Sequence, residues 1–174
     1  LNDTLATADL NSVMEEALGA ATEQGLVLDA VIASSQTQAS TLWRMREEVP
    51  EANRREGAWV RHAVSVPVSR IPELLERGSH ALPQHFPGVR VVAFGHIGDG
   101  NLHFNVLPLV GQSIEEFRAE LGDAFSRRVH DVCAALDGSF SAEHGVGILK
   151  VGELARYESP TALALRRSLK AALD

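Results

Sequence analysis

The sequence predicts an α+β fold in which an antiparallel sheet is flanked by helices. Apolar residues recur at helical spacing in several segments that also carry capping and stop signals. Residues 89–94 and 102–107 are short strand-like runs on either side of an Asp-Gly turn, which is typical of a hairpin. No linker or repeat divides the chain, so we expect one domain over residues 1–174.

The first part of the chain is predicted to hold two helices and two strands. The segments are a helix from Asp9 to Gly25, a strand at 26–33, a helix that Ser34 or Ser35 caps and that ends before Pro50, and a strand at 59–68. Pro67 cannot donate a hydrogen bond to a sheet, so it indicates that the last strand lies at a sheet edge. Residues 51–57 are polar and are predicted to form a turn.

The second part of the chain adds three predicted helices around the hairpin. They follow Ser69 as far as His80, span residues 113–136, and span residues 160–173. His80 and His85 flank a segment rich in proline and glycine, so we predict that both are solvated loop residues. His130 is predicted to lie on the solvated face of the long helix.

Composition and charge exclude several functions. The net charge of -7 argues against nucleic-acid binding, since phosphate binding relies on clustered Lys and Arg. Cys133 is the single cysteine; its core spacing predicts inert packing, and its isolation fits a reducing compartment. No apolar stretch approaches the roughly 20 residues of a membrane-spanning helix. We expect a cytoplasmic protein, either free or peripheral to a membrane.

The hairpin carries the first candidate ligands. A two-residue type I′ turn at Asp99 and Gly100 would set His96 directly opposite His103. Side chains opposed on one sheet face have Cβ atoms about 4.5–5.5 Å apart, so two imidazoles could converge on one ion. Asn105 shares that face, because alternate residues of a strand point to the same side.

A metal held by two histidines needs at least one further ligand, and Glu143 in the segment S-A-E-H-G-V-G is the best candidate. Two imidazoles and a carboxylate leave positions open for substrate or water, and they suit zinc, manganese or iron. His144 would point away from Glu143 in an extended segment, so it could act as a base beside the metal. The alternative is that Glu143 is a surface charge and His144 caps a helix.

Three classes of function remain open from these residues alone. One is an enzyme that uses the two histidines and the carboxylate without a flavin, either a zinc hydrolase or an iron oxygenase. Another is a non-catalytic interaction domain whose sheet serves as an assembly surface. The third follows from a resemblance to a known family.

Three motifs carry that resemblance: G-H-I-G-D-G-N-L-H-F-N, then S-A-E-H-G-V-G-x-x-K, and upstream L-W-R-M-R-E-E-V-P-E-A. Together they resemble the C-terminal domain of the FAD-linked oxidase family, which includes D-lactate dehydrogenase, the glycolate oxidase flavin subunit and D-2-hydroxyglutarate dehydrogenase. The resemblance covers nearly the whole chain and implies ferredoxin-like elements in the fold. The N-terminal FAD-binding domain and the usual N-P-G-K-like ending are not in this sequence, so we expect a fragment.

The resemblance implies roles for particular residues. His96, His103 and Glu143 would bind a divalent metal, usually taken to be zinc, with manganese or iron as alternatives. Asn105 and Arg46 would contact the substrate carboxylate, and His144 would be the general base. Arg61 matches a basic residue of dicarboxylate-specific relatives, whereas Pro50 stands where those relatives carry a hydroxyl residue. Lactate, glycolate, malate or another 2-hydroxy acid therefore stays open as substrate.

The function implied is oxidation of a D-2-hydroxy acid to the 2-oxo acid with hydride transfer to FAD. The flavin would be bound mainly by the FAD-binding domain, and this chain would supply the substrate and metal sites. The expected partners are the hydroxy acid, the FAD-binding domain, an electron acceptor of unknown kind and, in a homodimer, a second copy of the chain. We expect the chain alone to be inactive.

Overall fold

The structure is a computed structural model that describes residues 9–57, 60–109, 111–148 and 150–173, without the side chains of residues 60, 61 and 81. The chain forms two compact units, Leu1–Pro50 and Glu51–Asp174. In the described part of the chain, no helix is long and apolar enough to cross a membrane.

Two helices form most of the first unit. Helix α1 spans Leu10–Glu23, and the Asp9 side chain caps it by accepting a hydrogen bond from the backbone of Ser12. Helix α2 spans Gln36–Glu47, with Ser35 as its N-cap. Both predicted helices are confirmed, and Ser35 is the one of the two candidate caps, Ser34 and Ser35, that starts α2. Neither helix buries a residue within the structure described.

The predicted strand at 26–33 is wrong. The segment has no regular secondary structure, and the side chain of Leu28 is 97% exposed. A strand requires a neighbour that satisfies its backbone hydrogen bonds, and residues 9–50 contain no other strand.

The predicted turn at 51–57 is largely helical. Helix α3 spans Val49–Arg55, with Pro50 in the first turn where the missing N–H is not needed. Glu51 forms ion pairs with Arg54 at 2.8 Å and with Arg55 at 2.9 Å. This charge spacing supports a helix, whereas the polar composition alone indicates a turn.

The second unit contains a three-stranded antiparallel sheet in the order β1-β3-β2. Strand β1 spans Val60–Ser65, β2 spans Arg90–His96 and β3 spans Asn101–Leu107. The antiparallel sheet and its flanking helices confirm the predicted fold class. The predicted strand at 59–68 corresponds to β1 and lies at the sheet edge as expected, although it ends at Ser65 and its start at residue 59 lies outside the described residues.

Four helices accompany the sheet. Helix α4 spans Ile71–His85, α5 spans Ile114–Ala135, α6 spans Val151–Tyr157 and α7 spans Pro160–Leu173. A capping box formed by Ser113 and Glu116 starts α5. Helix α6 is not among the predicted elements.

His80 and His85 are helical, which corrects the loop prediction. Helix α4 continues through Pro83 to His85, and the His80 ring lies 2.9 Å from the Glu76 carbonyl. Leu82 is only 1% exposed, so burial of the apolar stripe favours continuing the helix past its proline.

Helices α4 and α5 pack on one face of the sheet to form the core. Leu102, Phe104 and Val106 alternate along β3 and are almost fully buried. Phe117, Phe125 and Val129 belong to the same apolar cluster. Cys133 is fully buried, and burial raises the pKa of its thiol to about 12, so its predicted role as core packing is confirmed.

Candidate functional site

The hairpin register differs from the predicted one. His96 pairs with Asn101, and His103 pairs with Phe94, so the two histidines are not directly opposed. A 3-10 turn over Ile97–Asp99 lengthens the connection, and only Gly100 has a left-handed backbone, with φ of 74°. The Asp99 carboxylate accepts a hydrogen bond from the Asn101 N–H at 3.0 Å, which favours this longer turn over the two-residue type I′ turn.

The register is shifted by two residues, so the predicted sheet face is preserved. His96, His103 and Asn105 still point to the same side, with Asn101 directly opposite His96. The two imidazoles are diagonal neighbours, for which Cβ separations of about 7–8 Å are typical.

Phe94, Asn101 and Asn105 surround His103 on this face of the sheet. The His103 ring lies against the Phe94 ring, with centroids 4.9 Å apart, and the His103 side chain is 25% exposed. Asn101 and Asn105 are 4% and 5% exposed. Gly95 faces the backbone of β3, where a Cβ would lie 2.1 Å from the Asn101 carbonyl oxygen, so a side chain cannot be accommodated there.

The segment that carries Glu143 runs beside the end of β1. Ser139 and Ser65 exchange two backbone hydrogen bonds of 2.7 and 2.9 Å, and the Ala142 N–H donates to the Ala63 carbonyl at 3.0 Å. Ala63 lies directly opposite His103 in the sheet, so this pairing directs the next residue, Glu143, toward His103.

Glu143 is the point at which the hairpin and this segment meet. Its carboxylate lies 3.9 Å from His103 Nε2 and accepts a short hydrogen bond from the Asn101 amide. Its second oxygen lies 3.8 Å from Nε2 of His144, whose side chain is 75% exposed. The arrangement therefore places a carboxylate, a partly buried imidazole and an exposed imidazole together on one side of the sheet.

The proposed ligands are not fully assembled. Among the residues that the structure describes, no three His, Cys, Asp or Glu side chains are close enough to hold a metal ion. Asn101 Oδ1 is buried and accepts no hydrogen bond within the described residues. The Asn101 side chain therefore bonds to Glu143 through its NH2 group. His103 and Glu143 are brought together, and His96 shares their face.

The predicted substrate contacts are placed as follows. Arg46 is in the last turn of α2 in the first unit. Arg61 pairs with Asn105 through the backbone of β1 and β3, and its side chain lies outside the described residues. Pro50 is in the first turn of α3.

A second group of polar residues, which the sequence did not reveal, lies on the core side of the sheet. His62 is 3% exposed; its Nδ1 donates to the Phe104 carbonyl, and its Nε2 is 3.0 Å from the Ser126 hydroxyl. Burial lowers the pKa of His62 to about 4, so the ring is neutral. The alternation of β1 indicates this burial, since His62 lies two residues from the buried Val64 and so faces the same side of the sheet.

The sequence as a whole matches a known family. Residues 4–174 match the family described as "FAD linked oxidases, C-terminal domain". A D-2-hydroxyglutarate dehydrogenase from Xanthomonas citri pv. viticola is 41% identical over 152 residues, which cover 87% of this chain and 32% of that protein. A protein of the same name from Stutzerimonas stutzeri is 35% identical over 154 residues, covering 87% and 32%.

A mitochondrial D-2-hydroxyglutarate dehydrogenase from Rattus norvegicus is 37% identical over 166 residues, covering 95% of this chain and 29% of that protein. The chain thus spans about a third of the length of these relatives. Because the family match extends over nearly every residue, including the hairpin and the Glu143 segment, this chain belongs to the FAD-linked oxidases as a C-terminal domain of that family.

Proposed function

We propose that this chain is the substrate- and metal-binding part of an FAD-dependent dehydrogenase that oxidises a D-2-hydroxy acid to the 2-oxo acid. The observation that carries the proposal is the approach of Glu143 to His103, with Asn101 and His144 beside it. Membership of the FAD-linked oxidase family and the names of the relatives support the reaction class.

The donor set fits a divalent cation. His103, Glu143 and His96 offer two imidazole nitrogens and a carboxylate, which suit zinc and also manganese or iron. The Asn101 amide holds one Glu143 oxygen, as a residue behind a metal ligand commonly does. His96 is exposed and lies diagonal to His103 on the same face of the sheet.

When bound, the metal would act as a Lewis acid on the substrate hydroxyl and FAD would take hydride from the substrate Cα. His144 accepts the hydroxyl proton at an imidazole nitrogen as the carbon–oxygen double bond forms. Its 75% exposed side chain can reach a substrate and can pass the proton to solvent. The Glu143 carboxylate, 3.8 Å from His144 Nε2, orients His144.

We assign substrate binding to the side chains of Asn105, Arg61 and Arg46. Asn105 and Arg61 are paired on neighbouring strands, and Arg46 is assigned to the substrate carboxylate by the family resemblance. A guanidinium can hold a carboxylate through two parallel hydrogen bonds, for which lysine is a poor substitute. The relatives are named for D-2-hydroxyglutarate. Pro50 stands where dicarboxylate-specific relatives carry a hydroxyl residue, so lactate, glycolate and malate remain candidate substrates. The cytoplasmic location and the homodimer stay predictions.

Isothermal titration calorimetry with zinc chloride tests the metal half of this proposal. We expect one zinc per chain, with affinity reduced at least about 100-fold in His103→Ala and in Glu143→Gln, because each loses a ligand. His80→Ala is the control, since His80 lies on an exposed part of α4. Absence of zinc binding by the wild-type chain, or equal affinity in the ligand variants, would contradict the proposal.

The flavin half needs a different measurement. In a flavin-containing enzyme that carries this chain, D-2-hydroxy acids should reduce the bound flavin, and L enantiomers should not. Turnover by this chain without any flavin would instead support the metal hydrolase or oxygenase alternative.

A further inference from the structure

His130 is the central residue of a partly buried cluster between α5 and α6. Its side chain is 4% exposed, and its Nδ1 lies 2.9 Å from the Glu153 carboxylate in the first turn of α6. The ring also contacts Phe140, with centroids 5.4 Å apart, and Tyr157, at 6.2 Å. We refer to His130, Phe140, Lys150, Glu153 and Tyr157 as the α5–α6 cluster.

This cluster holds both ends of the segment that carries Glu143. Phe140 lies three residues before Glu143, and Lys150 is the N-cap of α6, which follows the segment. The Lys150 ammonium donates a hydrogen bond of 3.2 Å to the Phe140 carbonyl and so joins the two ends directly. His130 reinforces this connection, because it contacts Phe140 at one end and Glu153 at the other.

Between those ends, the described segment is held by few contacts. The Ala142 N–H bonds to β1, the Ser141 hydroxyl donates to the His144 carbonyl, and Glu143 accepts from Asn101. His144 and Gly145 are exposed, and a short loop of this kind takes its position from its fixed ends. The placement of Glu143 against His103 therefore depends on the pairing of the segment with β1 and on the α5–α6 cluster that joins its two ends.

Further polar contacts join α6 to α5. The Tyr157 hydroxyl donates to Asp131 at 2.7 Å, and Arg127 lies 3.5 Å from Glu153. Both of these pairs are more exposed than the contact between His130 and Glu153, so water competes with them more strongly. Loss of the buried contact with His130 leaves the Glu153 carboxylate with the more exposed Arg127 as its partner.

We propose that His130 is a positioning residue, which acts together with the pairing to β1 and sets the locations of Glu143 and His144 by holding Phe140 and α6 at the two ends of the loop at 141–148. The effect of His130 on metal binding and turnover rests on the proposed function, whereas its effect on the position of the loop does not. His130 acts through Glu153 and Phe140 and touches neither the substrate nor the proposed metal ligands.

The structure offers a clean substitution. His130 Nε2 has no hydrogen-bond partner within the described residues, so a ring without nitrogens loses only the bond to Glu153. His130→Phe keeps an aromatic ring against Phe140 and Tyr157. Glu153→Gln keeps an oxygen that can accept from His130 Nδ1, and Glu153→Ala removes it.

Hydrogen exchange followed by mass spectrometry measures the loop directly. We expect exchange of the peptide covering 141–148 to be about tenfold faster in His130→Phe and in Glu153→Ala, because a buried hydrogen bond to a charged group is lost. Peptides from β3 should be unchanged. Glu153→Gln should remain within about twofold of the wild-type rate, and so should Arg128→Ala, an exposed control on α5.

Zinc titration of the same variants provides the second readout. Affinity should fall about tenfold in His130→Phe and recover in Glu153→Gln, as expected for loss and retention of an outer-shell contact. Unchanged loop exchange in a folded His130→Phe would overturn the proposal. If that variant does not fold, unchanged exchange in Glu153→Ala would do so.

The two proposals fail in different ways. A wild-type chain that binds no zinc, with faster loop exchange in His130→Phe, would contradict the proposed function and support the positioning role. Zinc binding by the wild type with no change in loop exchange would contradict the positioning role alone.

Discussion

The Asn101 amide donates a hydrogen bond to the Glu143 carboxylate, which links the start of β3 to a segment forty-two residues later in the chain. Asn101 is 4% exposed and lies opposite His96 in the sheet. It is therefore the buried residue that connects the hairpin to the third proposed ligand.

Asn101→Ala should destabilise the protein and weaken zinc binding. Removal of the amide leaves Glu143 without its donor, which costs about 1–3 kcal/mol in the free energy of unfolding. Zinc affinity should fall about tenfold, because the carboxylate loses the group that orients it. Urea unfolding and calorimetry measure the two effects, and a zinc affinity equal to that of the wild type would argue against an orienting role.

Substitutions should distinguish Glu143, as a metal ligand, from His144, as the base. Glu143→Gln should abolish most zinc binding, whereas His144→Asn should leave zinc affinity within about twofold, because His144 is a proton acceptor in the proposed mechanism. In a flavin-containing enzyme that carries this chain, His144→Asn should lower kcat at least about 100-fold.

The opposite result is informative for each residue. Loss of zinc by His144→Asn would make His144 a ligand. Normal turnover with His144→Asn would remove it as the base.

Gly100 should be the more sensitive of the two glycines in the hairpin connection. Its φ is 74°, and a Cβ there would lie 2.0 Å from the Val66 carbonyl oxygen. Gly100→Ala should therefore cost about 3 kcal/mol in the free energy of unfolding, from the left-handed backbone and the clash together.

Gly98→Ala is the matched control, since nothing lies within 4 Å of a Cβ at Gly98 and its φ is not left-handed. It should change stability by less than about 0.5 kcal/mol. Urea unfolding measures both variants, and equal stability of the two would show that the connection adopts another turn.

The hairpin indicates how far local sequence reasoning extends. Alternation along β3 predicts that His103 and Asn105 share a face, and the predicted pairing of β2 with β3 adds His96 to it. The structure agrees because any even shift of register preserves faces. The turn type was wrong, since Asp99 bonds to the Asn101 N–H and the chain uses a longer connection. The residues that lie opposite His96 and His103 therefore depend on the Asp99 side chain.

Other errors have a tertiary cause. His130 was predicted to be solvated because its neighbours on α5 are charged, yet α6 covers it, and α6 was not predicted. Pro83 suggested a loop, but burial of Leu82 favours continuing α4 past it. The predicted strand at 26–33 lacks a pairing strand in the described part of its unit. In each case, a contact distant in sequence decided the outcome.

His62 should make stability depend on pH, because burial lowers its pKa from 6.5 to about 4. Between these values the unfolded chain binds a proton that the folded chain does not, so stability is fully present above pH 6.5 and falls as pH decreases toward 4. The slope for this one group is at most about 1.4 kcal/mol per pH unit. His130, whose pKa is also lowered by burial despite the opposing effect of Glu153, adds in the same direction.

Urea unfolding between pH 7 and pH 5, followed by circular dichroism, measures this slope in a range where most carboxylates stay ionised. His62→Phe should be less stable at pH 7, since it loses the bonds to Phe104 and Ser126, and its slope should be smaller. His80→Gln is the control for replacement of a histidine, because it lies at an exposed position of α4. If His62→Phe kept the slope of the wild type, the buried ring would not be the group that takes up the proton on unfolding.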